Sequence, residues 1–262
     1  MFSHARALVW PLWGRLILGE GGLWPVAVSL AWLERPEPNE LFLRIVLYGV
    51  LLWNLYLFND LTDMEADRSN PRKRQDVVEH YCRHKVAYWS VWASSSLVLP
   101  MVLHRMIGRP AGDLAVSVMA VNLLYSLKLK AVPWLDVAVV GLWGGLYAAV
   151  AMADLYLNAI VAAMTMIAHV YQTHVDRLAD AARGIHTHAV KAPRAARPVI
   201  GVLACLMAVC VWRSGGSWLA IALSAAVAGP AARMTLQARA WQWSRLIFGF
   251  SWLLLLRQRV GL

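Results

Sequence analysis

Residues 41–58, LFLRIVLYGVLLWNLYLF, run without a break into residues 59–74, NDLTDMEADRSNPRKR. The first segment is apolar apart from Arg44 and Asn54. The second carries three aspartates, one glutamate and four cationic side chains. About 20 mostly apolar residues cross a bilayer core of about 30 Å as a helix. A span at 41–60 therefore ends in a dense cluster of acids. The other apolar runs are also continuous rather than alternating, which argues against membrane strands.

Composition points the same way. The chain of 262 residues is 60% hydrophobic and 15% charged, against about 45–50% and about 25% in soluble domains. An integral membrane protein is expected. The formal charge of +10 is then read as basic cytoplasmic loops rather than a nucleic-acid surface. Cys82, Cys205 and Cys210 have no metal-ligand spacing, and no disulfide framework or zinc site follows from them. No cleavable signal peptide is expected, because the N-terminus lacks a short apolar core with a small-residue cleavage site.

Nine spans are expected, roughly at 16–33, 41–60, 86–104, 112–129, 133–154, 157–175, 196–213, 216–233 and 241–257. The long polar connections are 61–85 and 176–195. With the N-terminus cytoplasmic, most Lys and Arg fall on the cytoplasmic side, including Arg68, Arg72, Lys73, Arg74, Lys128 and Lys130. The other side holds Arg35, Arg44, Arg105, Arg109, Arg213, Arg257 and Arg259. The positive-inside rule supports this polarity, which also puts both acidic stretches at the cytoplasmic face.

Asn59, Asp63 and Asp67 are four apart and line one helix face, with Asp60 beside them. Like charges at this spacing repel, and a divalent cation would relieve the repulsion. Oxygen-only donors suit a hard ion such as Mg2+, which keeps waters and shares its remaining positions with phosphate oxygens. Residues 171–190, YQTHVDRLADAARGIHTHAV, repeat the arrangement as Gln172, Asp176 and Asp180. One acidic stretch alone reads equally well as a solvated helix end. Two matched stretches near membrane depth favour function, since acids there are costly. The reading is of two halves of one metal cage.

These residues carry a resemblance. NDLTDMEADRSNPRKR resembles the NDxxDxxxD signature of the UbiA superfamily of intramembrane prenyltransferases. DRLADAARGIHTHAV, with Asp176, Asp180, Gly184 and Thr187, resembles its second signature. YSLKLKAVPWLD, residues 125–136, looks like its YS…LK connection. The matches fall in family order. The resemblance implies an all-α, UbiA-like bundle of about nine helices around a central cavity, read as a single domain over 1–262. Two departures stand out. Asp76-Val77 replaces the usual Arg-Pro pair, and Gln172 or Thr173 stands where the second signature usually opens with an Asp.

The resemblance also implies the chemistry. A prenyl diphosphate leaves once its charge is neutralised, and metal ions bridging carboxylates and phosphate oxygens do this. The implied ligands are Asn59, Asp60, Asp63, Asp67, Gln172, Asp176 and Asp180, with the aspartates acting in catalysis. Arg72, Arg74, Lys128 and Lys130 are the leading candidates to hold diphosphate; Lys73, Arg177 and Arg183 are further ones. Tyr125 is the first choice to face the allylic cation, ahead of Trp53 and Tyr56. Glu20 and Arg15, near the first span, read as helix-end residues. His174, His186 and His188 read as solvated and receive no role.

The leading function is Mg2+-dependent transfer of an isoprenyl group to a lipophilic or aromatic acceptor. A terpene cyclase of the same family needs no acceptor. Phosphoribosyl transfer to a polyprenyl phosphate fits the first and third motifs, whereas the Asp-rich second motif favours prenyl transfer. A divalent-cation carrier is disfavoured, because the acids sit at one face rather than at mid-bilayer.

Overall fold

The computed structural model describes residues 4–17, 22–68, 70, 73–182, 184–233 and 238–261. Every regular element among them is helical. This is the economical solution for a backbone in hydrocarbon, where each N–H and C=O must be satisfied within its own segment. Among the described residues, five helices are long and apolar enough to cross a membrane: 38–67, 85–106, 109–129, 155–178 and 193–213. Three shorter apolar helical stretches lie at 23–33, 135–151 and 218–233. The chain is a multi-pass membrane protein. Large apolar side chains face outward, among them Phe42, Leu97, Met101 and Trp218 at 68–82% exposure. In water such a surface would aggregate.

Contacts divide the chain into two compact units. The first comprises Met1–Leu127 and Leu146–Met152, the second Lys128–Gly145 and Ala153–Leu262.

The first unit holds α1 (His4–Ile17), α2 (Leu23–Leu33), α3 (Pro38–Asp67), α4 (Gln75–Arg83), α5 (Lys85–Met106) and α6 (Arg109–Leu124). Its longest element is α3, at 30 residues. Ala7, Leu57, Leu61, Met64, Val77, Tyr81 and Tyr88 form a buried core joining α1, α3, α4 and α5. Polar ties reinforce it. The Asn54 amide donates to Ser95 Oγ at 2.8 Å and Ser96 Oγ at 3.0 Å, and Tyr81 donates to the Ala7 carbonyl at 2.9 Å. Hydrogen bonds of this kind join helices where hydrophobic exclusion supplies no drive.

The second unit holds most of α7 (Leu135–Ala151), α8 (Leu155–Ala182), α9 (His188–Lys191), α10 (Ala196–Arg213), α11 (Trp218–Ala226), α12 (Gly229–Arg233) and α13 (Ala238–Val260). Here α7 meets α8 at glycine. A Cβ on Gly141 would fall 2.5 Å from Met166 Cγ, and one on Gly144 would fall 2.3 Å from Thr165 Oγ1. Only glycine allows this approach. Farther along, Ser224 and Ser251 bond each other at 2.6 Å, and Ser251 donates to the Ala220 carbonyl at 2.8 Å. Ser244 donates to the Val227 carbonyl at 2.9 Å and meets the Tyr171 hydroxyl at 3.0 Å. These buried hydroxyls fix α13 on α11 and α8.

Several expected boundaries shift. The polar connection expected at 61–85 begins inside α3 and contains all of α4. The one expected at 176–195 begins inside α8. Both acidic stretches thus continue a spanning helix, because their amide–acid–acid spacing keeps helical period after apolar content ends. The expected span at 216–233 is two short helices, α11 and α12, either side of Val227-Ala228.

Candidate functional site

In the first unit, α3 carries the first acidic triplet past its apolar length. Asn59, Asp60 and Asp63 are half-buried, and Asp67 is buried. The YS motif is docked on this same helix. After α6 the chain makes one wide turn, Tyr125–Leu129, with π-type bonding. Such turns re-aim side chains and recur at functional sites. Ser126 Oγ donates to Asn59 Oδ1 at 2.5 Å. About one turn below, Asn122 donates to the Leu55 carbonyl at 3.0 Å. Tyr125, in the same turn, is half-buried.

The basic tail folds back on the helix end. Lys73 Nζ lies 3.4 Å from Asp67 Oδ2. The Gln75 amide donates to the carbonyls of Asp67 at 3.2 Å and Asn70 at 2.7 Å. Arg74 forks onto the Asp76 carboxylate and lies over the Trp10 ring, 4.5 Å from its centroid. The Arg74 guanidinium holds the Asp76 carboxyl below its ordinary pKa. The acid that replaces the family's Arg-Pro is thus the partner of a cation expected to hold diphosphate. Arg72 lies outside the described residues, as do Glu20 and Arg183, and the Arg15 side chain is likewise undescribed.

In the second unit, α8 carries Gln172, which is exposed, and Asp176 and Asp180, which are half-buried. The helix closes at Gly184, whose φ is +70°. The Gly184 N–H donates to Ala181 O at 3.1 Å, and the Ile185 N–H donates to Asp180 O at 2.9 Å. This left-handed closure satisfies the last carbonyls and pins the turn that bears Asp180. Lys128 is exposed and Lys130 half-buried.

The residue after Gln172 has a different task. Thr173 Oγ1 donates to the His169 carbonyl at 2.9 Å and lies 3.1 Å from His188 Nε2. His188 Nδ1 meets Asp136 Oδ2 at 2.9 Å, and His169 Nε2 lies 3.5 Å from that same oxygen. Asp136 and His188 are wholly buried. Thr173 therefore belongs to a buried chain bracing α7, α8 and α9. Gln172, four residues before Asp176, keeps the acid-bearing register.

His188 corrects the expectation of a solvated loop histidine, since it is the centre of this chain. His174 is also engaged, with Nε2 3.1 Å from the Pro193 carbonyl; His186 is exposed, as expected. The available signal was Asp136, an ionisable group in an apolar segment that requires a partner. Its partner lies 52 residues away, beyond any local pattern.

Among the described residues, both helix ends present carboxylate and amide oxygens, a donor set that fits a hard divalent cation.

The sequence profile of the UbiA prenyltransferase family matches residues 22–254. No curated protein matches the chain in sequence. Among solved structures, a UbiA homologue from Archaeoglobus fulgidus bound to DMAPP and Mg2+ superposes with a TM-score of 0.67 at 14% identity, covering 98% of this chain and 97% of that one. The GPP and Mg2+ complex of a UbiA homologue from the same organism gives 0.68 at 13% identity, covering 98% of each chain. A digeranylgeranylglyceryl phosphate synthase gives 0.69 at 12% identity, covering 98% and 99%.

Proposed function

The chain belongs to the UbiA prenyltransferase family, and from that premise we propose that it transfers an isoprenyl group from a prenyl diphosphate to a lipophilic or aromatic acceptor, with Mg2+ as cofactor. The observation that carries this reading is the acid-and-amide register of α3 and α8, each continuing a spanning helix beyond its apolar length. When bound, Mg2+ would neutralise diphosphate oxygens and so ease departure of the leaving group. Asn59, Asp60, Asp63 and Asp67 on α3, and Gln172, Asp176 and Asp180 on α8, are the proposed oxygen ligands.

The chain's own groups prepare these ligands. Ser126 fixes the Asn59 amide and leaves its oxygen a second lone pair. Lys73 offsets the charge of Asp67 and, in this reading, gives up that carboxylate to an incoming ion and binds phosphate in its stead. Lys128 and Lys130 supply further positive charge toward the diphosphate, and Tyr125 presents an aromatic face to the allylic cation. Arg74 is a further proposed holder of diphosphate, with the Asp76 carboxylate setting its orientation. The acidic helix ends and the N-terminus are assigned to the cytoplasmic side on the distribution of Lys and Arg.

The test is product analysis with purified protein, Mg2+ and a panel of prenyl diphosphates, with and without lipophilic and aromatic acceptors. Prenylated acceptor is expected, with no product in excess chelator. Cyclic hydrocarbon without acceptor would replace this reading with a cyclase. Asp63→Asn and Asp176→Asn should each lower turnover by at least about 100-fold, more than loss of an outer-shell partner costs, while leaving a folded protein. Losses of only a few-fold in both would exclude these helix ends as the metal site.

A further inference from the structure

His4 on α1, His80 on α4 and His84 just after α4 bring their rings together in the first unit. Each offers one ring nitrogen, and the three nitrogens lie within 4.8 Å of one another. The ring centroids are 4.4 to 4.8 Å apart, with interplanar angles of 50° to 70°. The rings therefore converge rather than stack. His4 Nδ1 and His80 Nε2 are 3.2 Å apart. Two imidazole nitrogens on a tetrahedral zinc ion are separated by about 3.3 Å, given bonds of about 2.0–2.1 Å.

We propose that His4, His80 and His84 form a binding site for a nitrogen-preferring transition metal ion, of the zinc class, which clips α1 to α4. The site takes three protein ligands, and water completes the tetrahedron. Its chemistry is distinct from that of the acidic helix ends, since imidazole selects zinc-like ions and carboxylates select magnesium-like ones. Further contacts tie the supporting elements together. Tyr81 donates to the Ala7 carbonyl at 2.9 Å, Arg74 of the preceding loop covers Trp10, and the Tyr88 ring lies 6.4 Å from His4 and 5.9 Å from His80.

The inference does not depend on the prenyl-transfer reading. It is tested on the full chain in detergent, stripped of metal and titrated with Zn2+ against a chromophoric chelator. One Zn2+ per chain with micromolar or tighter affinity is expected, unaffected by added Mg2+. His4→Gln and His84→Gln should each weaken binding at least about tenfold, a ligand being worth no less than an outer-shell partner. Zn2+ should raise the unfolding temperature of the parent protein and not that of the variants. Co2+ should give the visible absorption of a tetrahedral nitrogen-ligated ion. Asp63→Asn should bind Zn2+ as the parent does. Equal binding by the parent and His4→Gln, displacement by Mg2+, or no stoichiometric binding would each overturn the site. His4 is exposed, so its replacement tests ligation with little cost to folding.

Discussion

At the residue scale, Gln172 decides how negative the second acidic helix end is. It stands four residues before Asp176 and eight before Asp180, and Thr173 beside it is engaged with His188. At the proposed metal site, a neutral amide here would leave a bound ion to rely more on diphosphate for anionic oxygens. Gln172→Glu should lower the Mg2+ concentration needed for half-maximal activity, by about 1 kcal/mol or some fivefold, for one added charge at an effective dielectric near 20 with solvent screening. Gln172→Leu should raise it. Magnesium titrations at fixed prenyl diphosphate check this, and superimposable curves would remove Gln172 from the metal's surroundings. The register of Asn59, Asp63 and Asp67, and of Gln172, Asp176 and Asp180, is legible in sequence because four-residue spacing is a property of the helix itself. The choice between Gln172 and Thr173 is not legible. It depends on where His188 and Asp136 come to lie, and that is tertiary. The pairing of Arg74 with Asp76 is two residues long and local, yet the motif directs attention to phosphate and away from it.

At the scale of elements, helix type is set by unbroken apolar runs, and these are plain in the chain. Helix ends are harder to place. Acids and amides at the end of α3 and α8 look like loop, yet they sustain hydrogen-bonded turns to Asp67 and Ala182. The α8 terminus is set by Gly184, which alone among common residues accepts a φ of +70° without penalty. The α7–α8 contact is a case where packing is the whole of the matter. Gly144→Val should drive a branched side chain into Thr165, whose Oγ1 lies 2.3 Å from the position of even a first carbon. Overpacking of this kind costs about 1–3 kcal/mol. A corresponding fall in thermal stability in detergent is expected. A second-site Thr165→Ala change should restore part of it, because it removes the opposing atoms. No recovery would show that the strain lies elsewhere.

At the scale of the whole molecule, the family match and the shared fold account for most of the chain's length. Composition alone was sufficient for the membrane assignment. The number of full spans is less legible, since among the described residues five helices meet the length and apolarity of a crossing and α13 is not one of them. The reason is its charge. The uncharged stretch of α13 is 246–256, bounded by Arg245 and Arg257, and at 1.5 Å per residue it covers about 16 Å against a hydrocarbon thickness of about 30 Å. Its serines are bonded to α11 and to Tyr171 of α8, which tie α13 to those helices whatever its own apolar length. If α13 crosses the bilayer, the lipid around it must thin, or the arginines must reach outward along the surface. The protein should accordingly be sorted by bilayer thickness. Unfolding temperatures in phosphatidylcholine vesicles should fall as the acyl chains lengthen. Shortening α13's deficit with Arg245→Leu should flatten that dependence, whereas a parent protein indifferent to chain length would mean that α13 lies along the interface and imposes no mismatch on the lipid.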